Sequence, residues 1–243
     1  MTLVFEVTSE LAMFRKGYTT TSMVSYPFMP PIALAGLIGA ITGLDNGAGE
    51  TAEGAQFWTK LQGTQVAVAI RSPINWFITA VNLLKYKSGS GEMGEHIQPK
   101  HQFLKRPRYR VYVRGGDIYQ TLKTQLSQGE CVFTPYLGVA YALADIKFLG
   151  EFQEEEVDAL SVDVHSVVPV PVNWGSLDID ILKSRAVYKE IVPVKLDESR
   201  ALLTSSPVLY SDIGKAGVIC LRNKGDLQIS KVGDDVIAWF APW

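Results

Sequence analysis

Cysteine is scarce. Cys131 and Cys220 are the only two in 243 residues, 89 positions apart. With no CxxC pair and three histidines, the chain offers neither a zinc knuckle nor a disulfide scaffold. Charge of one sign is also missing. Lys and Arg number 23 against 25 Asp and Glu, a net of −2, which excludes a wholly basic nucleic-acid coat. Long hydrophobic runs are absent too. The 28 residues between Lys16 and Asp45 carry no formal charge, but Pro27, Pro30 and Pro31 break them, leaving an apolar helix only from about 31 to 44. Fourteen residues at about 1.5 Å each span roughly 20 Å, short of a bilayer core of about 30 Å, so no membrane partner is expected. Met1 to Glu6 show no basic stretch followed by an apolar one, so no signal peptide is read and a cytoplasmic location is expected.

What is there suits a folded domain: 47% hydrophobic and 20% charged residues can bury a core. The charge is unevenly spread. Residues 1–114 hold 12 Lys and Arg against 7 Asp and Glu, and residues 115–243 hold 11 against 18. Between Leu83 and Arg114 the net is +6. A chain polarised in this way offers one region to a polyanion and another to proteins, although clustered charge also marks plain solvent exposure.

Leu3 to Val7 reads as a strand. Residues 31–44 place Leu34, Leu37, Ile38, Ile41 and Leu44 on one helical face. Gly36, Gly39, Ala40 and Gly43 form a second, small-residue strip, which predicts close packing onto a sheet. Prolines at the start suit a helix N-terminus. Gln65–Ile70 alternates as a strand, and Asn75–Tyr86 reads as extended or mixed. Residues 88–99 are rich in Gly and Ser and read as flexible. Residues 108–114 alternate an apolar face with a basic one. Asp117 is a candidate cap for a helix over Ile118–Ser127, and Asp145–Phe152 is the next strand. The order β, α, β, β, α, β over 1–155 predicts an α+β, ferredoxin-like sheet with two helices on one face. Glu154 to Glu156 reads as a solvated boundary. The remainder, 156–243, is expected to be a small β-rich subdomain, with a hairpin around Asn223-Lys224-Gly225 and an acidic balance suited to packing onto the first domain or a neighbouring subunit rather than to RNA contact.

The segment 14–44, FRKGYTTTSMVSYPFMPPIALAGLIGAITGL, resembles the N-terminal signature of the Cas-five family, the RAMP-type subunit of type I CRISPR effector complexes. The matching parts are Phe14-Arg15, the T-x-x-x-S-Y-P-x-x-P-P run from Thr21 to Pro31, and the small-residue helix from Ala33. Phe103 to Val113 and the turn Phe133-Thr134-Pro135-Tyr136-Leu137-Gly138 also resemble family blocks. The flavour is similar to the type I-B branch. The resemblance implies a ferredoxin-like domain with an inserted hairpin thumb, here at about 85–104. It implies a subunit that holds the 5′ handle of the crRNA, caps the filament of Cas-seven-type subunits, touches the Cas-eight-type large subunit and lies by target DNA near the PAM. No cofactor is implied. The family's late Gly-rich loop has only Gly214-Lys215-Ala216-Gly217 near it, and no RNA contact is carried onto it.

Single-stranded RNA needs cations for its phosphates and flat side chains for its splayed bases. The candidates are Arg15, Lys16, Ser25 and Tyr26 in the loop ahead of the helix, with Lys100, His101, Lys105, Arg106, Arg108 and Tyr109 in the later basic segment. Phe103 and Tyr112 add stacking candidates. Some Cas-five relatives of the type I-C branch cleave precursor RNA without metal. Lys100-His101, with Tyr86 or Tyr109 as partner, is the pair that would do so here. The N-terminal signature instead implies a non-catalytic subunit. Glu95, His96 and His101 supply too few ligands in too loose a segment for a metal site.

Overall fold

The computed structural model describes residues 1–19, 22–46, 57–84, 96–170 and 177–243. The first part of the chain forms β1 (Thr2–Thr8), β2 (Leu11–Ala12), α1 (Pro31–Thr42), the short α2 (Phe57–Lys60), β3 (Gln65–Ile70), β4 (Trp76–Ala80), β5 (Leu83–Leu84), β6 (His96–Ile97), β7 (Lys100–Lys105), β8 (Arg108–Arg114), α3 (Tyr119–Gln128) and β9 (Asp145–Phe152).

A four-stranded sheet has the order β3-β8-β1-β9, with every neighbouring pair antiparallel. The two-residue period of each strand decides what meets each face. Leu3, Phe5 and Val7, with Val66, Val68, Val111 and Val113, face the main core, into which α1 sends Leu34, Ile38 and Ile41 and α3 sends Leu122 and Leu126. The alternate residues Val4, Ala67, Ala69 and Tyr112 face the other way and pack under Val232, Ile237 and Trp239 from the end of the chain. The two alanines leave room for that second layer to lie close.

α1 begins where Pro30 and Pro31 hold the φ a helix needs without wasting an amide donor. It ends at Gly43, at φ 81°, where any Cβ would press within 3.0 Å of Val132. Its large apolar residues make the sheet contact. The small-residue strip does not lie on the sheet as expected: Gly36 is exposed, and a Cβ built on it meets no atom within 4 Å. α3 starts one residue late, with Ile118 at its N-cap and no side-chain cap bond, so Asp117 does not cap it.

A second sheet of order β2-β7-β4 is continued by the β5–β6 pair, so that 76–84 and 96–105 form one long hairpin. Most of the Gly/Ser-rich stretch expected to be flexible lies outside the described residues.

The rest of the chain builds β10 (Glu154–Glu156), β11 (Val162–Val164), β12 (Val168–Pro169), β13 (Asp178–Ile179), β14 (Val187–Leu196), β15 (Leu202–Ser211), β16 (Ile219–Asn223), β17 (Ile229–Val232) and β18 (Asp235–Ala238). The expected hairpin about Asn223 does not form. β16 pairs with β11 and β13, while β17 pairs with β10 and β18. Its Asn223-Lys224-Gly225 turn is present locally, the Asn223 side chain accepting the Gly225 N–H at 2.9 Å, but the strands it leaves take non-local partners. Glu154–Glu156 is a paired strand, with Glu155 and Glu156 exposed as expected of a solvated segment and Glu154 partly covered. Glu154 accepts from Thr2 at 3.1 Å and from Arg114 at 3.0 Å. Val167, Val192, Val194, Val208, Phe240 and Trp243 all enter the main core. Among the described residues, no helix is long and apolar enough to cross a membrane.

Candidate nucleic-acid interface

The loop ahead of α1 folds back on itself. Arg15 lies opposite Ser25, the Lys16 N–H donates to Val24, and the Tyr26 N–H donates to Phe14. The returning arm then lies along β7. The Met23 N–H donates to the Lys100 carbonyl at 3.0 Å, the Gln102 N–H donates to the Met23 carbonyl at 2.9 Å, and the Ser25 N–H reaches the Gln102 side chain at 3.2 Å. Two segments about 77 residues apart in sequence are thereby set side by side, and Arg15 lies two strand spacings, about 10 Å, from the β7 backbone.

Ser25 works as a fastener. It is buried, its hydroxyl donates to the Tyr26 carbonyl at 2.8 Å and accepts the Phe14 N–H at 2.9 Å. Tyr26 is buried at the edge of the loop, and burial pushes its hydroxyl pKa up. Lys16 sits over the Tyr26 ring at 5.3 Å and is held by Glu190 of β14 at 2.5 Å. Burial alone would depress the lysine, but Glu190 outweighs it and the pKa rises, so Lys16 is a charged but committed side chain. Arg15 is exposed, its guanidinium donating to the Thr19 carbonyl.

In the second segment, Lys100, Lys105, Arg106 and Arg108 are exposed. Arg106 meets Glu10 at 3.1 Å, but both side chains are about three-quarters or more in water, where such a pair contributes little. Arg108 opens β8 on the face turned away from α1, alongside Arg110 and Tyr112, and is not brought beside Arg15. The aromatic candidates are corrected. His101, Phe103, Tyr109 and Tyr112 are each no more than 3% exposed. His101 stacks on Phe103, and Tyr109 packs on Phe14, its own hydroxyl pushed far up in pKa by burial. None offers a ring face to a base. Tyr109 points into the main core between the outward-facing Arg108 and Arg110, while Tyr112 shares the arginine face and is covered there by the end of the chain.

Exposed rings come from elsewhere: Tyr18 in the loop, Trp76 and Phe77 on β4, and Phe133, Tyr136 and Tyr141 on the turn after α3. The signal for β4 is legible in the sequence: Trp76-Phe77-Ile78 puts large apolar residues on both faces of one strand, and an edge strand cannot bury both. The turn is pressed against the loop. The Met13 N–H donates to the Leu137 carbonyl at 3.1 Å, and Gly138, at φ 83°, approaches so closely that a Cβ there would stand 2.0 Å from the Met13 carbonyl oxygen. Only glycine fits.

Between this turn, the loop and α1 lies a groove of about 820 Å³. Its floor is the small-residue strip of Gly36, Gly39, Ala40 and Gly43, and Arg15, Tyr26, Phe133 and Tyr136 stand along its sides.

Among the described residues no group of three His, Cys, Asp or Glu is placed to hold a metal, and Glu95 lies outside them. Tyr86, one candidate partner for the Lys100-His101 pair, also lies outside the described residues.

A family model described as CRISPR-associated protein (Cas_Cas5) matches residues 2–165. The chain belongs to the CRISPR-associated Cas_Cas5 family. The match runs from β1 through the hairpin to β9 and leaves out Glu190, which holds Lys16 from β14. No curated protein matches the chain. Solved structures share its fold. A CRISPR protein from Archaeoglobus fulgidus aligns with a TM-score of 0.56 at 12% identity, covering 97% of this chain and 98% of that one. A chain of a CRISPR RNA-guided surveillance complex aligns at 0.55 and 12%, covering 88% and 91%. A chain of a type III-B Cmr-beta complex bound to cognate target RNA aligns at 0.51 and 10%, covering 89% and 86%.

Proposed function

We propose that this member of the family is a non-catalytic, RNA-binding subunit of a type I CRISPR effector complex that holds the 5′ handle of the crRNA. In this reading the four-stranded sheet with its two helices is a ferredoxin-like RAMP domain, and the hairpin of 76–84 and 96–105 is its thumb. The observation that carries the reading is the backbone pairing of Met23 with Lys100 and Gln102, joined by the Ser25 N–H on the Gln102 side chain, which sets the cations of the loop beside those of the hairpin. Arg15, Lys100, Lys105 and Arg106 supply exposed positive charge, and Tyr18, Trp76, Phe77, Tyr136 and Tyr141 supply rings on which bases stack. Ser25, Tyr26 and Lys16 hold the loop in shape. The surfaces left over serve the remaining partners: a Cas-seven-type filament subunit, a Cas-eight-type large subunit and target DNA near the PAM.

The processing-nuclease reading is less well supported. His101 is enclosed, with its Nδ1 3.1 Å from the Pro99 carbonyl oxygen, and Tyr109 is in the core, so neither reaches a 2′-hydroxyl.

The test is to express the chain with its genomic neighbours and purify it. A large ribonucleoprotein particle containing the guide is expected, and Arg15→Glu with Lys100→Glu should strip guide RNA from this subunit. Guide RNA retained in full by that double variant would overturn the reading.

A further inference from the structure

We propose that the outer edge of β4 pairs with the same edge of a second copy of this chain, joining two hairpins into one continuous sheet. This pairing goes beyond RNA binding and needs no RNA. β4 ends its sheet, with β7 on one side of it. The Lys105 N–H donates to the Asn75 carbonyl at 2.8 Å and the Val81 N–H to the Pro99 carbonyl at 3.1 Å. In an antiparallel ladder such pairs alternate, so the odd-numbered residues of β4 turn their backbone groups towards β7. The N–H and C=O groups of Trp76, Ile78 and Ala80 therefore point outward. Among the described residues, the one hydrogen bond to any of them comes from the Thr79 hydroxyl, a long 3.5 Å from the Ala80 carbonyl oxygen.

An open edge is a template for another strand, and proteins guard such edges with charge, proline, bulges or cover. Three other outer strands are guarded in these ways. β3 receives the Val167 N–H on the Val68 carbonyl and the Phe240 N–H on the Val66 carbonyl. β9 carries the exposed Lys147 and a register shift. β14 carries Pro193 and two register shifts. β4 has no charge, no proline and an unbroken register. Its Trp76, Phe77 and Ile78 are 42%, 44% and 62% exposed, too much apolar surface for a strand meant to stay in water.

The strand's own sequence selects a second copy as the occupant. A two-fold axis at Ile78 sets that residue against itself, with the two Cα atoms about 5.5 Å apart. The same axis sets Trp76 against Ala80 and Phe77 against Thr79. Every outward N–H and C=O finds a partner, each large ring lies beside a smaller side chain, and no charge is brought into the joint. Lys100, opposite Ala80 in β7, falls at one end of the joint and its copy at the other, so the hairpins' cations do not meet.

The experiment measures the mass of the purified chain by analytical ultracentrifugation over a wide range of concentration. Ribonuclease treatment beforehand removes any RNA that could bridge two copies. The wild-type mass should rise with concentration towards twice that of the monomer. Ile78→Lys and Ile78→Glu should each stay at the monomer mass, because the two-fold sets like charges side by side, and should keep their melting temperatures, because the side chain is exposed. An equal mixture of the two variants should regain the dimer, since one lysine then faces one glutamate. A wild-type chain that stays monomeric throughout overturns the proposal, and that measurement stands even if neither variant folds. So does an Ile78→Lys chain that dimerises like the wild type, or a mixture that stays monomeric. A monomeric wild type, together with a copurifying subunit lost from Ile78→Lys, would assign the edge to that subunit instead. Each of these results leaves the RNA-binding reading standing.

Discussion

Two neighbouring strands carry the chain's densest positive charge, and they put it to opposite uses. On β7 and the turn after it, Lys100, Lys105 and Arg106 stand in water. On β8, Arg110 and Arg114 are enclosed by acidic groups. Arg110 donates to Glu6 at 2.7 Å and to Asp235 at 2.9 Å, and Arg114 donates to Glu154 at 3.0 Å. Arg114 also lies over the Trp239 ring at 4.2 Å. Arg71, from just beyond β3, completes the cluster on Asp235, as does the Tyr112 hydroxyl at 2.5 Å. The difference lies in what covers the strand: the β17–β18 layer brings its own carboxylate onto β8, and among the described residues no such layer lies over β7. Charge density along a sequence therefore leaves positive charge open to a partner only where the chain's own acids do not reach it.

The largest effect expected from this contrast is at Asp235. Asp235→Ala leaves the Arg71 guanidinium and the Tyr112 hydroxyl buried without their carboxylate, with Arg110 reduced to Glu6, and should cost about 3–5 kcal/mol of stability. Chemical denaturation measures it, and a loss under about 1 kcal/mol would mean that β8 is not locked as described. The same group has a pH signature. Burial alone would push its carboxyl up, but Tyr112, Arg71 and Arg110 prevail and hold it below the ordinary range. Its contribution is therefore complete above the ordinary value of about 3.9 and is lost as pH falls through the lower, folded value. Melting curves of the wild type should drop in that acid window, and those of Asp235→Asn should drop less.

The next effect is on RNA. Lys100→Glu with Lys105→Glu should weaken RNA binding strongly while leaving the melting temperature near that of the wild type. Each phosphate that the variant no longer neutralises should also make the slope of log affinity against log salt shallower by about 0.7. Arg110→Gln should do the reverse, lowering stability with the salt slope unchanged. If Arg110→Gln alters the slope as much as the lysine pair does, the two strands are not divided in this way. A smaller effect still is expected at His101. Incubating His101→Ala and the wild type with repeat RNA in EDTA should give no cleavage product from either, and product from the wild type alone would restore the nuclease reading. Least of all, Glu10→Gln should change stability by well under about 1 kcal/mol, because its pair with Arg106 is solvated.

The strands and helices around the sheet are legible in the sequence because their signals are local. Val66, Val68 and Ile70 alternate, Pro30 and Pro31 mark a helix start, and Gly115-Gly116 ends β8. The side chains that enter the interface are less so. His101 and Tyr109 sit next to cations in sequence, and that adjacency suggests a shared surface. In a strand adjacent residues point to opposite faces, so the same adjacency sends the ring inward when the cation points out. Which face is buried depends on layers supplied by residues far along the chain, such as Trp239 over Arg114 and Glu190 on Lys16. The failure of β16 and β17 to pair with each other has the same origin, since β10 and β11 compete for them from a distance.

The second face of the main sheet is closed by Val232, Ile237 and Trp239, with Asp235 among them. During synthesis these residues emerge from the ribosome after all four strands they cover. Until they arrive, a nascent sheet exposes Val4, Ala67 and Ala69 together with an Arg71 that lacks its carboxylate, an adhesive surface next to ribosomal RNA. Translation speed over the final stretch, or a chaperone waiting at the exit tunnel, thus becomes a determinant of how much of this subunit matures.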